Sequence, residues 1–433
     1  MSPELVSILA LVVLFVAGTV LPINMGALGF VAAWLVGMYS LGLTEREIIG
    51  GISGDLVLTL VGVTYLFAIA RNNGTVDLIV SAAVRSVGGR VALIPWVMFV
   101  VTGVLTAIGA ASPAACAIIG PIALGFAGRY RISPLLMGML VVHGAQAGGF
   151  SPISIYGAIT NSVMAKNNLP VDEITVFLTS LLVNLVIAIV LFVVLGGHKL
   201  WSQRLEDIEL DTEPSDGGGG GAATKTVVET PTRTRLADQV ITLLAFAVVA
   251  FVALVFGRNI GFTAITAAVL LTAIFPKDQR DAIKQVAWST VLLVAGVSTF
   301  ASILDKAGAP EAVGIWAASL STVLIGALIL CYVGGITSAF ASSTALLPII
   351  IPIAVPLIAA GNVSAVAVVA ALAVASTIVD VSPFSTNGAL MVANRPDTIS
   401  EEAYYGQVLR YSVIVTAVGP LLVWAAVVVP GWT

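Results

Sequence analysis

The chain has 433 residues, of which 58% are hydrophobic and only 10% charged, with a mean hydropathy of +1.07. A soluble globule carries about 25% charged residues, so this composition excludes a set of soluble domains and indicates a polytopic membrane protein. The net charge of −4 and the lack of a polybasic run leave no electrostatic footprint for nucleic acid.

The amino terminus, MSPELVSILALVVLFVAG, has an acid where a secretory signal carries basic residues. The first helix is therefore expected to remain in the mature protein. Apolar stretches suited to crossing about 30 Å of hydrocarbon as helices fall at about 4–21, 24–42, 55–70, 91–110, 132–149 and 172–196. Six more follow at about 236–256, 260–275, 287–304, 319–340, 362–379 and 407–430. Arg71-Asn72-Asn73-Gly74 reads as the end of a span at an interface. Cys116 and Cys331 lie inside apolar stretches and read as small core residues.

One long polar stretch, 197–235, separates the two sets. It carries Glu206, Asp207, Glu209, Asp211, Glu213 and Asp216, then the glycines Gly217 to Gly221. Such a composition cannot bury a core and predicts a flexible linker. No Gly-Lys-Ser/Thr follows the glycines, which argues against a phosphate-binding loop. The chain thus divides into 1–196, the linker 197–235, and 236–433.

The two halves repeat. GVLTAIGAASPAACAIIGPIA (103–123) and GGITSAFASSTALLPIIIPIA (334–354) share ten of 21 positions at an offset of 231, including Ser112/Ser343 and Pro121/Pro352. At the same offset, SPISIYGA (151–158) and SPFSTNGA (382–389) share five of eight. A weaker echo at offset 234 pairs Gly62 with Gly296, Ile69 with Ile303 and Gly74 with Gly308. Each half predicts two spans, a third ending in a polar turn, an amphipathic helix, an apolar hairpin, a broken span and a final span. The hairpins fall at about 91–128 and 319–360, interrupted at Ser112-Pro113 and at Ser342-Ser343-Thr344. The broken helices fall at about 132–166 and 362–394. Two ordinary antiparallel spans are the alternative to each hairpin; the short, proline-containing arms after each tip favour re-entrant hairpins.

With both hairpins re-entrant, each half crosses five times and the linker and termini lie on opposite sides. The linker side then holds 15 Lys/Arg, among them Arg71, Arg129, Lys284 and Arg410, against Arg46, Lys166, Arg258 and Lys306 on the other. This bias places the linker in the cytoplasm and both termini outside. Five is odd, so the second repeat is inserted upside down. The predicted fold is an all-α polytopic membrane protein of two inverted-topology repeats with broken helices at mid-membrane, the usual build of a secondary transporter.

Broken helices expose backbone groups that must line a cavity if they sit in hydrocarbon. Four breaks pair up: Ala111-Ser112-Pro113 with Ser342-Ser343-Thr344, and Ser151-Pro152-Ile153-Ser154 with Ser382-Pro383-Phe384-Ser385-Thr386-Asn387. Each begins a half-helix whose free N–H groups favour an anion. The freed carbonyls and Ser/Asn oxygens suit sodium. An isolated Ser in a membrane helix more often back-bonds to the preceding turn, but clusters recurring in both halves read as a site. Asp380 is an intramembrane acid, a functional candidate by default: it could take up a coupling proton, join a cation site, or cap the following half-helix. His143 reads as a satisfied packing histidine.

Several stretches resemble the malonate-type (MatC-like) dicarboxylate carriers, within the ion-transporter superfamily that includes the divalent anion/sodium symporters. They are PINMGALGF (22–30), TYLFAIARNNGTVD (64–77), HGAQAGGFSPISIYGAITN (143–161), SSTALLPIIIP and SPFSTNGAL. The resemblance implies a dicarboxylate of the malonate/succinate/malate class and sodium ions held between two hairpin tips. It also implies a homodimer in the bilayer, working by an elevator motion. By that resemblance, substrate contacts fall to Ser112, Pro113, Ser342, Ser343, Thr344, Ser154, Ser385 and Thr386. Sodium contacts fall to Ser112, Ser151, Ser343, Ser382 and Asn387. The family's tips carry Ser-Asn-Thr; here neither has the Asn and the first lacks the Thr.

The expected function is a sodium-coupled secondary transporter of a small dicarboxylate in the cytoplasmic membrane. The alternatives are a sodium/proton antiporter or a proton-coupled organic anion carrier on the same fold. No cofactor, no metal beyond sodium and no catalytic residue is expected, because HExxH, GxSxG and paired intramembrane acids are all missing.

Overall fold

Capping chemistry marks most of the helix starts. Ser2 precedes α1 (Pro3–Val20), and Asn24 accepts from the Gly26 amide at the start of α2 (Met25–Tyr39). A reciprocal Thr44–Glu47 cap opens the short α3 (Glu45–Ile49). After α4 (Gly54–Asn72) and α5 (Thr75–Arg85) comes an apolar pair, α6 (Leu93–Ala107) and α7 (Ser112–Arg129). Ser133 caps α8 (Pro134–Gly148), Ser154 caps α9 (Ile155–Lys166), and Asp172 caps α10 (Glu173–Val194). A 3-10 turn, Gly197–Ser202, closes the first half.

The computed structural model describes residues 2–85, 88, 90–202, 233–276, 281–320, 322–339, 343–361 and 363–430. Most of the expected linker, 203–232, lies outside the described residues, as does Ser342. The second half runs α11 (Arg233–Phe256), α12 (Ile260–Ile274), a 3-10 turn (Ala282–Gln285), α13 (Trp288–Lys306) and α14 (Ala309–Leu320). It ends with α15 (Val323–Ser338), α16 (Ser343–Ala359), α17 (Ala365–Thr377), α18 (Thr386–Ala393) and α19 (Glu401–Val427). Among the described residues there is no strand. Among the described residues, six helices (α4, α7, α10, α11, α13 and α19) are long and apolar enough to cross a membrane, and several shorter helices are also apolar.

The repeat is present in three dimensions. The ends of α4 and α13 pair as Gly54/Trp288 and Asn72/Lys306, each 234 positions apart, the offset read from the sequence. Both are followed by a left-handed glycine, Gly74 at φ 77° and Gly308 at φ 75°, a conformation that glycine adopts without steric cost. Packing pairs the halves crosswise. Helix α2 lies on α13 as α12 lies on α4, α9 on α16 as α18 on α7, and α1 on α14 as α11 on α5. Exchanging the halves turns each contact into its counterpart, so the molecule has an internal pseudo-twofold.

Small residues permit the closest crossings, as in membrane helix pairs generally. A Cβ on Gly296 would stand 1.8 Å from the Gly26 carbonyl oxygen, and one on Gly62 would stand 2.6 Å from that of Gly261. Helices α2, α4, α12 and α13 thereby form one packed layer. A second contains the α6–α7 and α15–α16 pairs, the interrupted helices and the last helix of each half. One side-chain link ties the halves within that layer: His143 shares Nε2 with Tyr411 OH at 2.6 Å, while its Nδ1 meets Asn184 Oδ1 of its own half at 2.8 Å. Both ring nitrogens are satisfied, which is the packing role expected of His143.

Candidate substrate site

The interruptions are built by the same chemistry twice. At the start of α9, the Ser154 hydroxyl accepts from the Gly157 amide at 3.3 Å and lies 2.7 Å from the Ser151 carbonyl. At the start of α18, the Ser385 hydroxyl accepts from the Gly388 amide at 3.3 Å and lies 2.7 Å from the Ser382 carbonyl. Ser154 also donates to Gly149 and Ser385 to the Asp380 carbonyl, bridging each turn from end to end. Glycine is required after each cap. A Cβ at Gly157 or Gly388 would lie 2.0 Å from the Ser151 or Ser382 carbonyl oxygen. Ser154 and Ser385 thus hold the breaks open with hydroxyls already committed to backbone. Ser151 ties its break to the end of α6 through the Ala107 carbonyl at 2.5 Å, and Ser382 accepts from the Phe384 amide at 3.2 Å.

Four helix starts then meet at one cavity of about 500 Å³. Ser112 and Pro113 open α7, Ile155 and Tyr156 open α9, Thr344 lies in the first turn of α16, and Thr386 opens α18; all line it. The start of α13 adds Ser289 and Thr290, and Asn24 adds the cap of α2. The lining holds no Lys, Arg, His, Asp or Glu among the described residues. A helix N-terminus presents unpaired N–H groups and about half a positive charge. The cavity is therefore electropositive through its backbone, and its hydroxyls and amides supply orientation. Its volume is in the range of small-molecule sites, about 300–1,000 Å³.

Of the expected substrate residues, Ser112, Pro113, Thr344 and Thr386 line the cavity together. Ser343 lies behind it, bonded to Ser338 Oγ at 2.7 Å and to Asp380 Oδ1 at 2.8 Å. The expected sodium residues fall into separate places. Asn387 donates to Ser112 Oγ at 2.9 Å across 275 positions, and its Oδ1 is buried without a partner. Ser343 belongs to the Asp380 cluster, while Ser151 and Ser382 shape the turns. Asp380 is not a helix cap: Ser385 does that work, and the carboxylate instead accepts from Ser343, Gln146 and Tyr156.

Sequence reasoning passed over Tyr156 and the α2 and α13 starts. A signal for Tyr156 existed, since it stands opposite Asn387 at the 231 offset. Both occupy the second residue of a half-helix and both reach the other half, Tyr156 to Asp380 and Asn387 to Ser112.

Residues 1–149 match the family model for the N-terminus of the dicarboxylate carrier protein MatC. The resemblance read from the sequence thus holds over most of the first repeat. No curated protein matches the chain. Among solved structures, the Alcanivorax borkumensis YdaH transporter, described as having an unusual topology, is similar with a TM-score of 0.55. That match covers 98% of both chains at 13% identity, a likeness of fold. The family pattern thus covers the first third of the chain, and the likeness of fold runs over its whole length.

Proposed function

We propose that the protein is a secondary active transporter carrying a small dicarboxylate, of the malonate, succinate or malate class, across the cytoplasmic membrane with sodium as the coupling ion. The observation that carries this reading is the convergence of four interrupted helices on one uncharged cavity. Helix N-termini stabilise anions, and two pseudo-symmetric pairs of them suit a ligand with two similar anionic ends. The name of the family matched over 1–149 supports the same substrate class.

Fixed amide dipoles do not neutralise a dianion, so a mobile cation must offset its charge in low dielectric. The unpartnered Asn387 Oδ1, held beside Ser112, is an oxygen that sodium can use. In this reading the two apolar hairpins re-enter the membrane, the repeats run 1–196 and 236–433, the linker is cytoplasmic and both termini are outside. The layer of α2, α4, α12 and α13 is the scaffold of an elevator, working as a homodimer, and the hairpin layer is the moving part.

The cavity reaches the starts of α2 and α13, on the linker side. On the opposite face, Asp55 accepts from Ser162 at 3.0 Å and from Asn259. The space beside it at Ser53 and Leu56 is about 20 Å³. This arrangement corresponds to an inward-open state with the outer side latched.

The test is a thermal-shift screen of the purified protein against C3–C6 dicarboxylates in sodium, lithium or potassium. Stabilisation that requires both a dicarboxylate and sodium is expected. No stabilisation by any dicarboxylate, together with sodium-driven proton flux in vesicles, would replace the reading with an antiporter.

A further inference from the structure

A second cavity, of about 190 Å³, lies between α1, α13, α14 and α16 and shares no lining residue with the candidate substrate site. Ile8 and Leu11 of α1, Val313 of α14 and Ile353 of α16 line it and are each partly exposed. The cavity therefore opens through an apolar rim, at a surface that bilayer hydrocarbon covers. One lining residue is charged. Asp305 is exposed and stands one residue from the end of α13, a helix long enough to cross the membrane. Among the described residues its carboxylate has no hydrogen bond and no ion pair. Lys166 acts on it electrostatically across the small cleft beside Ser53.

No side chain of the lining donates a hydrogen bond, among the described residues. Backbone acceptors add to this one-sidedness. Proline has no N–H, so Pro352 and Pro356 leave the Pro348 and Pro352 carbonyls without their helical donors, and Pro348 and Pro352 both line the cavity. Acceptors without a donor, beside apolar walls, suit a ligand with an apolar body and a donating, positively charged head. The repeat shows that this feature belongs to the second half. At the 234 offset, Ala301 of the lining stands opposite Phe67, and Asp305 stands opposite Arg71. The first half thus puts a bulky ring and a cation where the second has a methyl group and an acid.

We propose that this cavity binds a phosphatidylethanolamine of the surrounding bilayer, with part of an acyl chain between α1 and α16 and the ammonium group on Asp305. The ammonium donates to the carboxylate, a charge-assisted hydrogen bond, and exposed Lys306, the next residue, is a cation for the phosphate. A choline head carries the same charge but has no N–H, so it cannot make that bond. The lipid rests against α16, whose first turn carries Thr344 to the candidate substrate site.

The test is native mass spectrometry of the purified, delipidated protein, titrated with dioleoyl phospholipids that differ only in the head: ethanolamine, N,N-dimethylethanolamine and choline. The ethanolamine lipid should bind about tenfold tighter than the choline lipid, the worth of a hydrogen bond to a charged group. The dimethyl lipid keeps one N–H and should stay close to ethanolamine. Asp305→Asn should bring the ethanolamine lipid down toward choline, and Ala301→Phe, which copies the first repeat, should remove the selective site. Equal affinity of the wild type for the three heads, or an ethanolamine preference that survives Asp305→Asn, would overturn the proposal. If neither variant folds, the wild-type series decides. Affinity lost only at the fully methylated head supports the site, whereas a preference already gone at the dimethyl head reports head size and overturns it.

Discussion

The contact between Ser112 and Asn387 joins the two repeats at the cavity wall, and a double-mutant cycle measures it. Asn387 is 2% exposed, donates to Ser112 Oγ at 2.9 Å, and already has one unpartnered oxygen. Ser112→Ala therefore strands the amide N–H as well. Leaving a buried donor unmade costs about 1–3 kcal/mol, equivalent to a factor of roughly 5–150 in an equilibrium constant. Asn387→Leu keeps the volume but removes both amide atoms, and replacing both partners by apolar groups can be nearly neutral. The double variant should therefore cost less than the two single variants added together, by about 1–2 kcal/mol. Unfolding in mixed micelles, followed by circular dichroism, provides the four free energies. Additivity within about 0.5 kcal/mol would mean that the two side chains do not meet, and the cross-repeat site would lose its clearest joint.

Gly157→Ala and Gly388→Ala should each abolish dicarboxylate uptake into proteoliposomes, because the new methyl meets a carbonyl oxygen at 2.0 Å. Gly125→Ala, with nothing within 4 Å, should retain uptake and gain up to about 1 kcal/mol of stability. Thr386→Val removes one hydroxyl from the lining and should weaken dicarboxylate binding by about tenfold, read by calorimetry, if that hydroxyl bonds the ligand. Asp55→Ala removes the acceptor shared by Ser162 and Asn259. It should raise the rate at which a cysteine placed at Ser53 is labelled from the outer side, and an unchanged rate would remove the latch.

The architecture was legible because it is written twice. Ser154 and Ser385, each capping a half-helix through a glycine three residues on, are local signals, as are the prolines that follow each hairpin tip. Offset alignment alone located α4 against α13 and α7 against α16. Contacts formed only between the halves were not legible, since no local pattern reports them. Nothing near Asp380 announces that its partners are Gln146, Tyr156 and Ser343, so a helix-capping role was a fair expectation from its place before a break. Asn24, Ser289 and Thr290 reach the cavity because α2 and α13 cross at Gly26 and Gly296, a packing detail that residue spacing does not encode. Tyr156 was hidden by its residue type: opposite Asn387 in the alignment, it performs the same reach across the pseudo-twofold with a phenol instead of an amide.

The most direct measurement is a cryo-EM map of the protein reconstituted with sodium and succinate. The account predicts ligand density bounded by Ser112, Tyr156, Thr344 and Thr386, with a carboxylate toward each pair of helix starts. Density confined to another part of the molecule, with that cavity empty at saturating succinate, would contradict it.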